Sequence, residues 1–167
     1  MSDYSCVALS PDHEVGAFRC GKPSLDSWLH GQASRAQAAG TARTYVWTQV
    51  DRPEVLAYYS IAPTQVTRAE VTRSLAGGYT IIPGYLLARL ALDEHLHGQG
   101  LGSELLVNAL ERIVEAARSS GGRLIVVDAI DDDAHAFYRR HDFLPITGSM
   151  RLYLKVATAA AALGDHP

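Results

Sequence analysis

Apolar positions along the chain change period several times, and each change marks an element. Leu25, Trp28, Leu29, Ala33 and Ala36 recur at helical spacing, with Ser24 as cap, Asp26 in the first turn and Gly40 as stop, which predicts a helix over 25–39. Thr44 to Val50 and Val55 to Ala62 are rich in β-branched and aromatic residues around the turn Asp51-Arg52-Pro53-Glu54, the pattern of a hairpin. Thr64 to Tyr79 reads either as a short helix or as loop around Gly77-Gly78, and Pro83-Gly84 punctuates the approach to the next strand. Leu86 to Asp93 is apolar except for Arg89, as in a central strand covered on both faces.

The second half of the chain is more regular. Leu105, Leu106, Ala109, Leu110, Ile113, Val114 and Ala117 form one stripe opposite Glu104, Asn108, Glu111, Arg112, Glu115 and Arg118, predicting an amphipathic helix that ends at Ser119-Ser120-Gly121-Gly122. Leu124 to Ala129 is a buried strand, so strand, helix and strand make a parallel βαβ unit. Asp132 or Asp133 caps a short helix through Arg140, Met150 to Leu154 is a last strand, and the alanine-rich tail beyond Ala157 is either a ragged helix or disordered. The class is α/β (α+β): one domain over 1–157, a mixed central sheet flanked by helices, and a flexible tail over 158–167.

Length and charge narrow the function only coarsely. A chain of 167 residues with 47% hydrophobic content is the size of one globular domain. No run is long and apolar enough to span a bilayer, and the N-terminus lacks the basic and then apolar regions of a signal peptide, so a cytoplasmic location is expected. Cys6 and Cys20 are accordingly expected as free thiols. A formal charge of −3 does not suggest a strongly basic nucleic-acid binder, and any RNA contact must come from a local patch. Arg35, Arg43 and Arg89 are the candidates for phosphate contact, while Asp131 to Asp133 form an acidic cluster that keeps a cationic acceptor in view.

The most informative stretch is Leu86 to Leu110, an apolar strand leading through a glycine-punctuated loop into an amphipathic helix. Gly98, Gly100 and Gly102 free the backbone to turn sharply, and a helix beginning near Ser103 presents N–H groups and positive dipole to an anion, with a pyrophosphate as the natural guest. The dinucleotide fingerprint would need glycine where Ser103 stands, and no Gly-Lys-Ser/Thr of a P-loop occurs, which disfavours NAD, ATP and GTP. His95 and His97, with His135 or His141, make a weak metal set inside a loop already suited to phosphate, and no metal is expected.

His97-Gly98-Gln99-Gly100-Leu101-Gly102 resembles the acetyl-coenzyme A loop of the GNAT superfamily, with His97 standing where the family has Gln or Arg. Ala136-Phe137-Tyr138-Arg139-Arg140-His141-Asp142-Phe143 resembles its terminal aromatic segment, with Asp142 in place of the usual glycine and hence a turn open to difference. The resemblance implies a GNAT-like domain with a βαβ acetyl-CoA-binding core. It also implies a pantetheine arm along Leu90, Ala91 and Leu92, phosphates at His97, Gly98, Gln99, Gly100, Leu101, Gly102 and Ser103, and Tyr138 as general acid. No general base is evident. Asp93 and Glu94 are read as surface carboxylates at a strand end, with a water relay as their only catalytic option.

Phe18 to Gly21, Leu25 to Leu29, Gln37, Gly40 to Val46, Ile82-Pro83, Leu87 to Leu92 and Val127 to Ala129 are further similar to the TacT- and AtaT-type toxin branch of that superfamily. That likeness implies acetylation of the α-amino group of aminoacyl-tRNA, a ribbon-helix-helix antitoxin as partner, and a homodimer. The alternative acceptor is a small amine, an antibiotic or a protein amino group. A third reading, a GNAT-like fold that binds coenzyme A or a protein partner without turnover, is disfavoured by the presence of Gly100, Gly102 and Tyr138.

Overall fold

The computed structural model describes residues 3–67, 70 and 78–164. Among them, seven strands form one mixed sheet in the order β1-β2-β3-β4-β5-β7-β6. By internal contacts the chain falls into two units, residues 1–62 with 88–109 and residues 63–87 with 110–167.

In the first unit, β1 (Tyr4–Ala8) pairs antiparallel with β2 (Arg43–Gln49), and β2 pairs antiparallel with the start of β3 (Ala57–Thr67). The expected hairpin is present in the register Arg43↔Ile61 to Trp47↔Ala57, with β3 running on past Ala62. β1 is an addition to the sequence reading.

The single helix expected over 25–39 is two. α1 (Pro23–Gly31) and α2 (Ala33–Ala39) meet at Gln32, whose ψ of −29° and φ of −119° leave the helical range just after Gly31, a weak helix former. Pro23, which has no N–H to lose, takes the first helical position in place of Leu25, so Lys22 rather than Ser24 is the N-cap. Gly40 closes α2 in the left-handed conformation as expected. Leu9, Phe18, Leu29, Ala33, Val46, Val55, Tyr58 and Ala91 form a core, with Trp28 packed against it.

The second unit's part of β4 (Ile81–Leu92) pairs parallel with β5 (Leu124–Asp128), aligning Gly84 with Leu124 and Leu86 with Val126, and the strand continues to Leu92 among residues of the first unit. Pro83-Gly84, expected to interrupt the chain before the strand, lies inside it. The reason is steric: a Cβ on Gly84 would stand 2.5 Å from the Leu124 carbonyl oxygen, so glycine lets the two strands close, and the Pro83 carbonyl accepts the Arg123 N–H at 2.8 Å.

The crossover helix α3 (Leu101–Ser120) begins two residues before Ser103, and the βαβ unit forms as expected. α4 (Asp132–Arg140) follows, then β6 (Leu144–Pro145) and β7 (Arg151–Lys155), antiparallel to β5. The alanine-rich segment is a helix, α5 (Val156–Gly164), with Ala159 buried, so most of the expected flexible tail is ordered secondary structure. Most of the ambiguous stretch 64–79 lies outside the described residues; what is described of it begins as β3, to Thr67. No helix of the described residues is long and apolar enough to cross a membrane.

Candidate active site

The C-terminal half of β4 hands the chain to the glycine loop, and the junction is tightly held. Asp93 is 4% exposed, its N–H bonded to the Leu56 carbonyl at 2.8 Å. One carboxylate oxygen accepts the His95 N–H at 3.0 Å and His95 Nδ1 at 2.6 Å, and the other accepts the Arg19 N–H at 3.2 Å. Burial alone would raise its pKa; the hydrogen bonds from His95 and Arg19 outweigh that and hold Asp93 below the usual carboxylate range. The same contact raises His95. Asp93 is therefore not the surface carboxylate expected of it but the cap of a single 3-10 turn, Glu94–Leu96.

His97 follows, its Nε2 donating to the Leu92 carbonyl at 2.8 Å, so its ring ties the loop back to the strand end. Gly98 and Gly100 take φ of 79° and 75°, conformations that side chains disfavour, and a Cβ at either would meet nothing within 4 Å. The loop's main chain is thus turned as sharply as expected and faces open space. Gly102, expected in the turn, is instead the second residue of α3, with Ser103 third. An α-helix leaves the N–H groups of its opening turn without intrahelical acceptors and carries partial positive charge there. Gln99 to Ser103 therefore fits a diphosphate by backbone chemistry and needs no lysine.

Leu90, Ala91 and Leu92, the residues expected to flank a pantetheine arm, end β4, with Ala91 buried and the leucines half-buried. On the same strand Arg89 places its guanidinium carbon 4.1 Å from the centre of the Trp28 ring, a cation–π contact. Trp28 stacks in turn on Tyr58 at 6.1 Å and 12°, and the Tyr58 hydroxyl donates to the Leu25 carbonyl at 2.7 Å. Burial lowers Arg89 from its ordinary range, against the pull of Tyr58. Arg35 on α2 and Arg43 at the start of β2 are exposed, so the three expected phosphate contacts sit on three different elements and only Arg89 is held by an aromatic ring.

In the second unit, Tyr138 is 7% exposed, edge-on to Phe143 at 5.4 Å and to Phe137 at 5.3 Å. Burial pushes its phenol well above the ordinary tyrosine range, so it is a hydroxyl at any physiological pH. α4 is capped by Asp131, which accepts the Ala134 N–H at 2.9 Å, rather than by Asp132 or Asp133, which occupy the first turn. The acidic cluster thus has a helix-start role.

At the other end, Phe143 N–H bonds to the Tyr138 carbonyl at 3.1 Å and Asp142 N–H to Arg139 at 3.2 Å, a Schellman motif. Asp142 has φ of 70°, so it adopts the left-handed conformation of the glycine it replaces and the turn is preserved. Sequence reasoning passed over a forked ion pair, Arg151 Nε and Nη2 to the two Asp128 oxygens at 2.8 and 3.0 Å, joining the ends of β5 and β7. It links residues 23 apart, and no local pattern announces it. Among the described residues the cysteines form no disulfide, and Cys20 is buried, its thiol pushed up to about 11 by burial and by the neighbouring Asp26 carboxylate. Among the described residues no group of three or more His, Cys, Asp or Glu is arranged to hold a metal ion.

Known proteins are similar to this chain in sequence and fold. A tRNA-acetylating toxin of Mycobacterium tuberculosis (strain ATCC 25618 / H37Rv) is 37% identical over 171 residues, spanning 99% of this chain and 100% of the relative. The AtaT toxin complexed with acetyl-methionyl-tRNAfMet superposes with a TM-score of 0.88 at 25% identity, covering 96% of this chain and 99% of AtaT. A Tyr-to-Phe variant of AtaT, bound to acetyl-CoA and to the C-terminus of the antitoxin AtaR, gives 0.84 at 25% identity, covering 97% and 99%. The model of the acetyltransferase (GNAT) family matches residues 23–143, which include both the glycine loop and Tyr138, and the chain belongs to that family.

Proposed function

We propose that this protein transfers an acetyl group from acetyl-CoA to the α-amino group of aminoacyl-tRNA and so acts as a translation-blocking toxin. Acetyl-CoA supplies an activated acyl thioester when bound. Its holders are the main chain at His97, Gly98, Gln99, Gly100, Leu101, Gly102 and Ser103 for the diphosphate, and the end of β4 at Leu90, Ala91 and Leu92 for the pantetheine arm, which is recognised by backbone hydrogen bonds as a further strand would be. The His97 ring, bonded to Leu92, acts through the shape of the loop, and its main chain is the part assigned to the diphosphate.

Tyr138 stays protonated and would donate a hydrogen bond from Oη to the departing thiolate; any proton it passes to sulfur is replaced by the one the acylated amine gives up, so amine and thioester become amide and thiol. The amine needs no dedicated base. A free α-amino group titrates near ~7.7–8.0, and an ester on the adjacent carbon lowers it further, so a useful fraction is neutral at pH 7. Arg35, Arg43 and Arg89 are assigned to tRNA, the exposed pair by attraction to the phosphate backbone.

The observation that carries this reading is the left-handed pair Gly98 and Gly100 opening onto the start of α3, in a chain 37% identical to a tRNA-acetylating toxin. We further assign it a cytoplasmic location, a homodimeric state and a ribbon-helix-helix antitoxin. Of the acidic cluster that favoured the small-amine alternative, Asp131 is engaged as the cap of α4, while Asp132 and Asp133 lie exposed in its first turn. Purified protein incubated with radiolabelled acetyl-CoA is expected to label charged bulk tRNA and not uncharged tRNA, polyamines or protein. Label confined to amines or protein would overturn the assignment of acceptor, and no label at all would overturn the enzyme.

A further inference from the structure

Arg89 has an unusual environment for a cation. It is half-buried on a strand of the sheet, and among the described residues it makes no ion pair and no side-chain hydrogen bond; its partner is the face of Trp28. The carboxylate that α1 carries, Asp26, is 8% exposed and accepts the Cys20 N–H at 2.9 Å. A guanidinium carries five donors in a rigid fork, and a partly desolvated one without an anion is costly unless a ligand completes it. An aliphatic side chain would cover Trp28 as well, so packing alone does not explain a charge here. The stack Arg89-Trp28-Tyr58, tied to the main chain through Tyr58 and Leu25, holds the fork in one orientation before any ligand arrives.

Position along the strand says which anion. The diphosphate cradle begins at Gly98, past the end of β4, whereas Arg89 lies three residues before Leu92, roughly 10 Å back along the strand at about 3.3 Å per residue. On the function proposed above, Leu92 to Leu90 would hold the pantetheine arm, which would bring its acyl end toward Arg89. The next negative group beyond the reacting centre belongs to the acceptor.

We infer that Arg89, held by Trp28, binds the phosphodiester that joins the last two nucleotides of the acceptor's 3′ end, and that this contact makes the enzyme select an amine carried on nucleic acid over a free one. The inference rests on the acetyl-transfer reading and separates the three arginines by role. Arg35 and Arg43 attract RNA in general, while Arg89 reads one phosphate in register with the chemistry.

The test compares two acceptors, an aminoacyl ester of adenosine, which has no phosphodiester, and the same ester of cytidylyl-adenosine, which has one. Wild-type protein is expected to favour the dinucleotide by about 10- to 100-fold in kcat/KM, the scale of one charge-assisted contact. Arg89→Met, which keeps the bulk over Trp28, is expected to erase that preference, bringing the dinucleotide-to-adenosine ratio of kcat/KM to about 1, with no rise in KM for acetyl-CoA. Arg89→Lys restores only part of it, because an ammonium lacks the fork. Trp28→Leu lowers the preference with the charge intact, and Trp28→Phe restores it. Preference retained in Arg89→Met overturns the inference, as does a rise in KM for acetyl-CoA, which would move the contact to the cofactor's own phosphates. Failure of wild-type protein to acetylate charged tRNA at all would count instead against the proposed function.

Discussion

Tyr138 shows how much one residue's setting decides. Its aromatic neighbours were readable from the Ala136-Phe137-Tyr138 pattern, but its burial was not, because the covering ring comes from Phe143 beyond the helix end. On the proposed mechanism, Tyr138→Phe removes a proton donor and little volume. It is expected to lower kcat by about 10²- to 10⁴-fold, the usual range for a general acid, with acetyl-CoA affinity by calorimetry unchanged. Wild-type turnover in that variant would remove Tyr138 from the chemistry.

Asp93 was misjudged from sequence for a related reason: a carboxylate just past an apolar strand looks like a surface group until the Arg19 segment is seen to bond to it. Its pairing with His95 has a defined pH dependence. The raised His95 stabilises the fold fully below its ordinary 6.5 and loses that contribution as pH climbs through its folded value; the lowered Asp93 contributes above its ordinary 3.8 and loses it as pH falls through its folded value. The 3-10 turn before the glycine loop is therefore firmest between those two folded values. In an NMR titration His95 is expected to ionise above 6.5, and Asp93→Asn to return it toward 6.5. An unshifted His95 in wild-type protein would contradict the pairing.

Elements whose apolar period runs long were the legible ones. The stripe of α3 and the flanking strands β4 and β5 were plain in the residues because both sides of the crossover are buried. β1 was not, since three half-buried and two exposed residues carry too little alternation to register. The break between α1 and α2 was hidden because Leu29 and Ala33 keep helical spacing across it.

Two substitutions probe the strand and the helix end. Gly84→Ala sets a methyl against the Leu124 carbonyl, backbone that cannot swing aside, and is expected to cost at least about 1–3 kcal/mol in denaturant unfolding. Asp142→Gly keeps the Schellman motif and relieves a left-handed aspartate, and is expected to add up to about 1 kcal/mol. A neutral Gly84→Ala would refute the close β4–β5 approach, and a destabilised Asp142→Gly would refute strain at that turn.

For the molecule as a whole, the family and the order of its central elements were open to reading because the glycine loop, the crossover and the aromatic segment each keep local spacing rules. What stayed closed depended on contacts far apart in the chain: Arg89 on Trp28, Arg151 on Asp128, Asp93 with the Arg19 segment. What identifies the activity is the atom that receives the acetyl group. The most direct measurement is to treat charged tRNA with the protein and acetyl-CoA, release the amino acid by mild base, and identify it by mass spectrometry. The account predicts the Nα-acetylated amino acid, absent when acetyl-CoA is omitted; recovery of the unmodified amino acid alone, or of acetyl on the nucleotides, would contradict it.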